Sequence, residues 1–182
     1  AKDDTSGALV WAKRIGGLGH DETYGVTVDE RDNIYLVGQM SATLNFGTTE
    51  EPAVLAHEGG SWDAFCAGYR PDGELAWVRG IQGTGGQRAQ SIAYNAGHVY
   101  AYGVCSGESH ADNVVSLSAG NNNQAFLCKL DTAGQVKWLL GHGGVGSEVG
   151  EAIRADAIHL YIMGSFTDIT DVDPGPGVIQ LQ

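Results

Sequence analysis

The chain has 182 residues, 42% of them hydrophobic and 28 of them glycine, and a formal net charge of −12 from 10 basic and 22 acidic side chains. This is a globular composition with too few charges for disorder or a coiled coil. The acidic balance excludes a general nucleic-acid binder, which needs clustered Lys and Arg, and no apolar run reaches the ~20 residues that span a bilayer.

In chain order, Ala1–Gly7 reads as the tail of a strand and a turn, Thr5-Ser6-Gly7. The run Leu9-Val10-Trp11-Ala12-Lys13 reads as a strand leading to Gly16-Gly17. A strand near Gly25–Glu30 follows, then turn chemistry at Asp29–Asn33, then the short apolar run Ile34–Val37, ending at Gly38. A variable connection, Gln39–Trp62, precedes Asp63-Ala64-Phe65-Cys66 and the turn Pro71-Asp72-Gly73. The same order then returns. Trp77 leads to Ser91–Tyr94, Val99–Tyr102, the connection Val104–Asn123, Gln124-Ala125-Phe126 and Thr132-Ala133-Gly134. Trp138 leads to Ala152–Ala155 and Leu160–Met163.

The tryptophans lie 66 and 61 positions apart, and the Trp-to-Tyr distance within a unit is 24, 23 and 23 for Tyr35, Tyr100 and Tyr161. Constant spacing of this kind marks a tandem repeat of about four strands per unit. The expected fold is all-β, with about three four-stranded blades of a partial propeller. Residues 8–73 form the first repeat, 74–134 the second and 135–182 an incomplete third, with 1–7 ending a preceding one. The recurring Trp and Tyr residues are expected to pack between blades.

The chain starts after the Ala-Phe half of its first strand and stops before the next one. Three blades are too few to close a ring. The expectation is a larger propeller, or association with further repeats or with copies of itself.

Few residues suggest chemistry. Asp168, Asp171 and Asp173 lie within six positions beside Pro174-Gly175, and their oxygens could wrap a calcium ion. The alternative is a hydrated acidic loop, since the rest of an EF-hand ligand set is absent. Trp62 lies outside the repeat, which makes it the candidate for an exposed contact. Cys66, Cys105 and Cys128 show no Cys-x-x-Cys spacing and read as small buried hydrophobes. No nucleophile elbow, P-loop or His-x-x-x-His pair occurs, so no catalytic residue is assigned.

The pattern Trp-x-x-x-x-Gly-Gly, an acidic turn, Asn-Ile-Tyr-Leu-Val-Gly, then Asp-Ala-Phe and a turn glycine before the next Trp resembles the bacterial seven-bladed β-propeller (SBBP-type) repeat family. The second unit departs from it at Gly83-Thr84-Gly85-Gly86 and lacks the acidic turn before Tyr100. The resemblance implies a secreted or cell-surface protein. The function expected is a non-catalytic scaffold or recognition module for a protein or carbohydrate ligand. The alternatives are a structural subunit that self-assembles into oligomers or filaments, and a fragment of a propeller enzyme.

Overall fold

The computed structural model describes residues 1–112, 115–120, 122–175 and 177–182. Asn113, Val114 and Asn121 of the second connection, and Pro176 of the acidic tail, lie outside the described residues. Strands occur in the order β1 (Lys2–Asp3), β2 (Leu9–Trp11), β3 (Asp21–Val28), β4 (Ile34–Met40), β5 (Leu44–Asn45), β6 (Val54–Leu55), β7 (Asp63–Tyr69), β8 (Leu75–Gly83) and β9 (Gln87–Asn95). They continue with β10 (His98–Cys105), β11 (Glu108–Ala111), β12 (Val115–Ser118), β13 (Gln124–Asp131), β14 (Val136–Gly144), β15 (Glu148–Ala155), β16 (Leu160–Phe166), β17 (Thr170–Asp171) and β18 (Gln180–Leu181). No helix occurs among the described residues.

Two complete blades result, each a four-stranded antiparallel meander: β3-β4-β7-β8 and β9-β10-β13-β14. They are flanked by two half-blades, β1–β2 and β15–β16. Each connection folds into a hairpin that returns to the preceding blade. The hairpin β11–β12 extends the outer strand β8, and β17–β18 extends β14. The hairpin β5–β6 approaches the half-blade β1–β2 through a bridge between Gly16 and Asn45. These hairpins cover outer edges that would otherwise present unpaired N–H and C=O groups.

The register confirms the repeat residue by residue. Trp11 faces Lys2, Trp77 faces Gly68 and Trp138 faces Lys129, at one equivalent position in each pair. Tyr35 and Tyr100 likewise face Gly68 and Lys129. The sheets run across the sequence period, because the Trp strand of each repeat closes the sheet of the repeat before it.

The core lies between blades, as strand alternation requires. Along β4, Tyr35 and Val37 point to one face and join Trp77, Ile92, Val99 and Cys128 in the largest apolar cluster. Ile34 and Leu36 point to the other, against Phe65, Tyr69 and Ile15. A third cluster sets Tyr100, Tyr102 and Leu127 against Ile153 of β15. All three cysteines are buried and unpaired. Of the recurring tryptophans, Trp77 is buried, while Trp11 and Trp138 are only half-buried.

The blades are stitched together at the turns. The indole N–H of Trp11 donates to the Pro71 carbonyl at 3.1 Å, and that of Trp77 to the Thr132 carbonyl at 2.9 Å. Each bond reaches from one repeat to the turn that ends it. Beside those carbonyls, Gly73 and Gly134 lie against the rings of Trp11 and Trp77.

Candidate functional site

Of the tail residues singled out from sequence, Asp171 and Asp173 bond the backbone. Asp171 Oδ1 accepts the N–H groups of Asp173 and Ile179, and Asp173 Oδ1 accepts that of Gly175. Asp168 is exposed, with a left-handed φ of 60°. Among the described residues, no group of three His, Cys, Asp or Glu side chains is arranged to hold a metal ion. Trp62 is half-buried, its ring 5.4 Å from that of His20 in an edge-on contact, and its carbonyl accepts the Gln87 N–H at 2.8 Å.

A different set of residues forms the most organised polar surface. The strands β3, β9 and β15 are the first of their blades and pack side by side, β3 on β9 and β9 on β15. Each carries a one-residue bulge at the same place, where it passes a glycine of the next strand. The register skips Tyr24 beside Gly38, Gln90 beside Gly103 and Glu151 beside Gly164. A bulge re-aims a side chain and recurs next to functional sites.

The neighbours of these bulges form a chain of hydrogen bonds across two blades. Arg88 Nε donates to Gln39 Oε1 at 2.8 Å, and Gln39 Nε2 donates to Glu22 Oε2 at 2.9 Å. The Tyr24 hydroxyl donates to the same Glu22 oxygen. Gln39 is buried, so a neutral amide links an anion on β3 to a cation on β9. Gln90 Oε1 is buried without a partner, and Glu151 accepts the Ser165 hydroxyl at 3.3 Å. The row presents acid, phenol, guanidinium and amide groups along one margin of the array. The row is not legible in the sequence, because Asp21–Tyr24 precedes the strand expected near Gly25–Glu30 and a bulge leaves no mark in an apolar pattern.

Two further polar clusters are structural. Asp63 is fully buried, and its Oδ2 accepts the Glu58 N–H at 2.8 Å and the Gln82 amide at 3.1 Å, with His57 Nδ1 at 2.8 Å. This pins the first connection onto β7 and β8. At the other end of the chain, His142 and Glu148 line a cleft of about 330 Å³ with Tyr102, Gly164, Phe166 and Thr170. Both are buried. Among the described residues, the His142 Nδ1 and both Glu148 oxygens have no hydrogen-bond partner. Burial pushes the Glu148 carboxyl above the usual glutamate range, and burial holds His142 below the usual histidine range against the pull of Asp171 and Asp173.

Consecutive four-stranded antiparallel meanders, packed face to face with their first strands along one margin, are the blades of a β-propeller, here in an open array. In keeping with this, residues 10–39 match the family described as the beta-propeller repeat, SBBP. The match runs from the Trp strand through β3 to the Tyr strand β4. No curated protein sequence matches the chain.

Proposed function

We propose that this β-propeller module is a non-catalytic recognition scaffold of the bacterial cell surface or its exterior, and that the bulged margin is its contact surface for a protein or glycan. The observation that carries the reading is the triple bulge. Tyr24, Gln90 and Glu151 recur in register on β3, β9 and β15, the first strands of successive blades. Around them stand the donors and acceptors that suit an extended polar ligand: Arg88, Glu22 and Ser165. An aromatic ring flanked by carboxylate, guanidinium and amide groups is a common way to hold a sugar or a peptide backbone. The extracellular setting is supported by the family resemblance, and the thiols are compatible with it. All three are buried, and Cys105 and Cys128 are pushed up to about 12 by burial, so an oxidising environment finds no reactive thiolate.

The test is binding of the 182-residue protein to arrays of oligosaccharides and of peptides, repeated with Tyr24→Ala/Glu151→Ala. The expected result is retention of one ligand class by the native chain, weakened at least tenfold in the double variant. Binding that the double variant retains in full would place the contact surface elsewhere.

A further inference from the structure

We propose that the end of the bulged margin beside Trp62 is a subsite for a neutral saccharide, which takes one pyranose ring with its C–H face on Trp62 and His20 and its hydroxyls on Glu22 and Arg88. The subsite rests on the reading of that margin as a contact surface and gives it a ligand class. It lies between the two complete blades. Alternation along β4 carries Tyr35 and Val37 into the cluster shared with β9, and Gln39 follows them onto the same face. Glu22 of β3 and Ala64 of β7 flank Gln39 in the register, and Trp62 stands two residues before Ala64.

The fold holds Trp62 by its backbone and makes no use of its ring. The Trp62 carbonyl accepts the Gln87 N–H at 2.8 Å, and the next repeat makes the same bond from the Glu148 N–H to the Asn123 carbonyl at 3.0 Å. The scaffold thus recurs with asparagine in place of the indole. His20 does not recur either: the residue before Asp21 aligns with Gly86 before Gln87 and Ser147 before Glu148. A tryptophan required for blade packing would be repeated, as Trp11, Trp77 and Trp138 are. The setting of the ring is nevertheless rigid. A Cβ on Gly60 would sit 1.7 Å from the Gly85 carbonyl oxygen, so two backbones touch directly beside Trp62. Trp11 and Trp77 donate their indole N–H groups to turn carbonyls, whereas that of Trp62 has no partner among the described residues and is not buried. A fixed ring with a free donor has little freedom left to lose on binding.

The polar groups beside the ring also keep free valences. The His20 side chain is 64% exposed, and its Nε2 stands 3.9 Å from Glu22 Oε1, too far for a hydrogen bond. Glu22 Oε2 accepts the Gln39 amide and the Tyr24 hydroxyl, so Oε1 remains open as an acceptor. Arg88 donates through Nε to Gln39 at 2.8 Å, and its two terminal nitrogens stay free among the described residues. An open carboxylate oxygen, a pair of guanidinium donors and an imidazole complement neighbouring hydroxyls, while a flat indole complements the apolar face of a pyranose. Glu22 at the site and the net charge of −12 disfavour an anionic sugar.

Titration of the 182-residue protein with cellobiose, lactose, mannobiose and diacetylchitobiose, followed by the NMR signals of its 4 indole N–H groups, tests the proposal. The Trp62 signal is the one missing from Trp62→Asn, a variant that carries the residue of the second repeat. The expected result is a saturable shift of the Trp62 signal with at least one disaccharide, while those of Trp11, Trp77 and Trp138 stay in place. Trp62→Asn and Glu22→Gln weaken that binding by about tenfold with the backbone amide spectrum still native, and Trp62→Tyr, which keeps a flat ring, retains most of it. A Trp62 signal that no disaccharide moves, or native affinity in Trp62→Asn, would overturn the subsite. Saccharide binding lost in Tyr24→Ala/Glu151→Ala but intact in Trp62→Asn would overturn the subsite and leave the margin standing. Retention of peptides alone would overturn the ligand class, and retention of neither class would overturn both readings.

Discussion

Asp21, Gln87 and Glu148 hold one register on β3, β9 and β15, opposite Met40, Cys105 and Phe166; Asp21 is half-buried, the other two are buried, and the three side chains bond differently. Asp21 Oδ2 accepts the Gly17 N–H at 2.8 Å. Gln87 Nε2 donates to the Ser106 carbonyl and the Ser109 hydroxyl, each at 3.1 Å. Glu148 does neither, and its carboxyl stays protonated further up the pH scale. The folded state therefore binds this proton more tightly than the unfolded chain. Stability is greatest below the ordinary glutamate range and is lost as pH rises through the raised value. Glu148→Gln restores the amide of the second repeat and should raise stability at neutral pH by roughly 1 kcal/mol. In urea melts across pH, the substitution should also remove the decline. Asp29 works in the opposite sense. Burial alone would raise its pKa, but the Asn33 side chain, the N–H groups of Asn33 and Arg31, and the Tyr35 hydroxyl at 2.9 Å together hold it below the ordinary aspartate range. Its contribution is present above that range and fades as pH falls. Asp29→Ala leaves the buried Tyr35 hydroxyl without its acceptor and should cost about 2 kcal/mol in denaturant unfolding at pH 7.

At the scale of the element, the Trp strand and the turn that ends its repeat form one device. Trp77→Phe keeps most of the buried ring but loses the bond to Thr132, and should cost about 1 kcal/mol. Gly134→Ala would set a Cβ 2.5 Å from the Trp77 ring at a φ of 80°, so both strain and overpacking apply, about 2–4 kcal/mol together. Gly7→Ala has comparable strain, φ of 85°, but meets open space. In dilute protein it should cost only about 1–2 kcal/mol. Urea melts of the two variants at one concentration give the comparison directly. The strands themselves were legible in the sequence: the apolar runs at Ile34, Val99 and Leu160, bounded by glycine, became β4, β10 and β16. The turn glycines and the Ala-Phe strands also stand where their spacing placed them. The start of β3 was not legible, since Asp21-Glu22-Thr23 has no apolar alternation. The bulged margin was hidden as well. Bulge position depends on pairing register, which no single strand reveals. In the acidic tail, whose carboxylates are close in sequence, one oxygen each of Asp171 and Asp173 accepts neighbouring N–H groups.

For the molecule as a whole, the interblade core fixes what reagents can reach. Cys66, Cys105 and Cys128 are all buried, and burial holds the Cys66 thiol well above its ordinary value as well. An aromatic disulfide reagent at pH 8 should find no thiol in the folded protein and three in denaturant. A fast-reacting thiol in the native protein would show that a blade face opens. The array is also anisotropic. Its inner faces carry the apolar clusters, and its first-strand margin carries charge and bulges.

The offset between sequence period and sheet has a genetic consequence. Each period ends in the middle of a sheet, at the boundary between the Ala-Phe strand and the next Trp strand. Recombination that adds or removes one period therefore adds or removes one blade, while every remaining sheet is still woven from two adjacent periods. In such a gene, blade number becomes a variable that unequal crossing-over can adjust without creating a new raw strand edge.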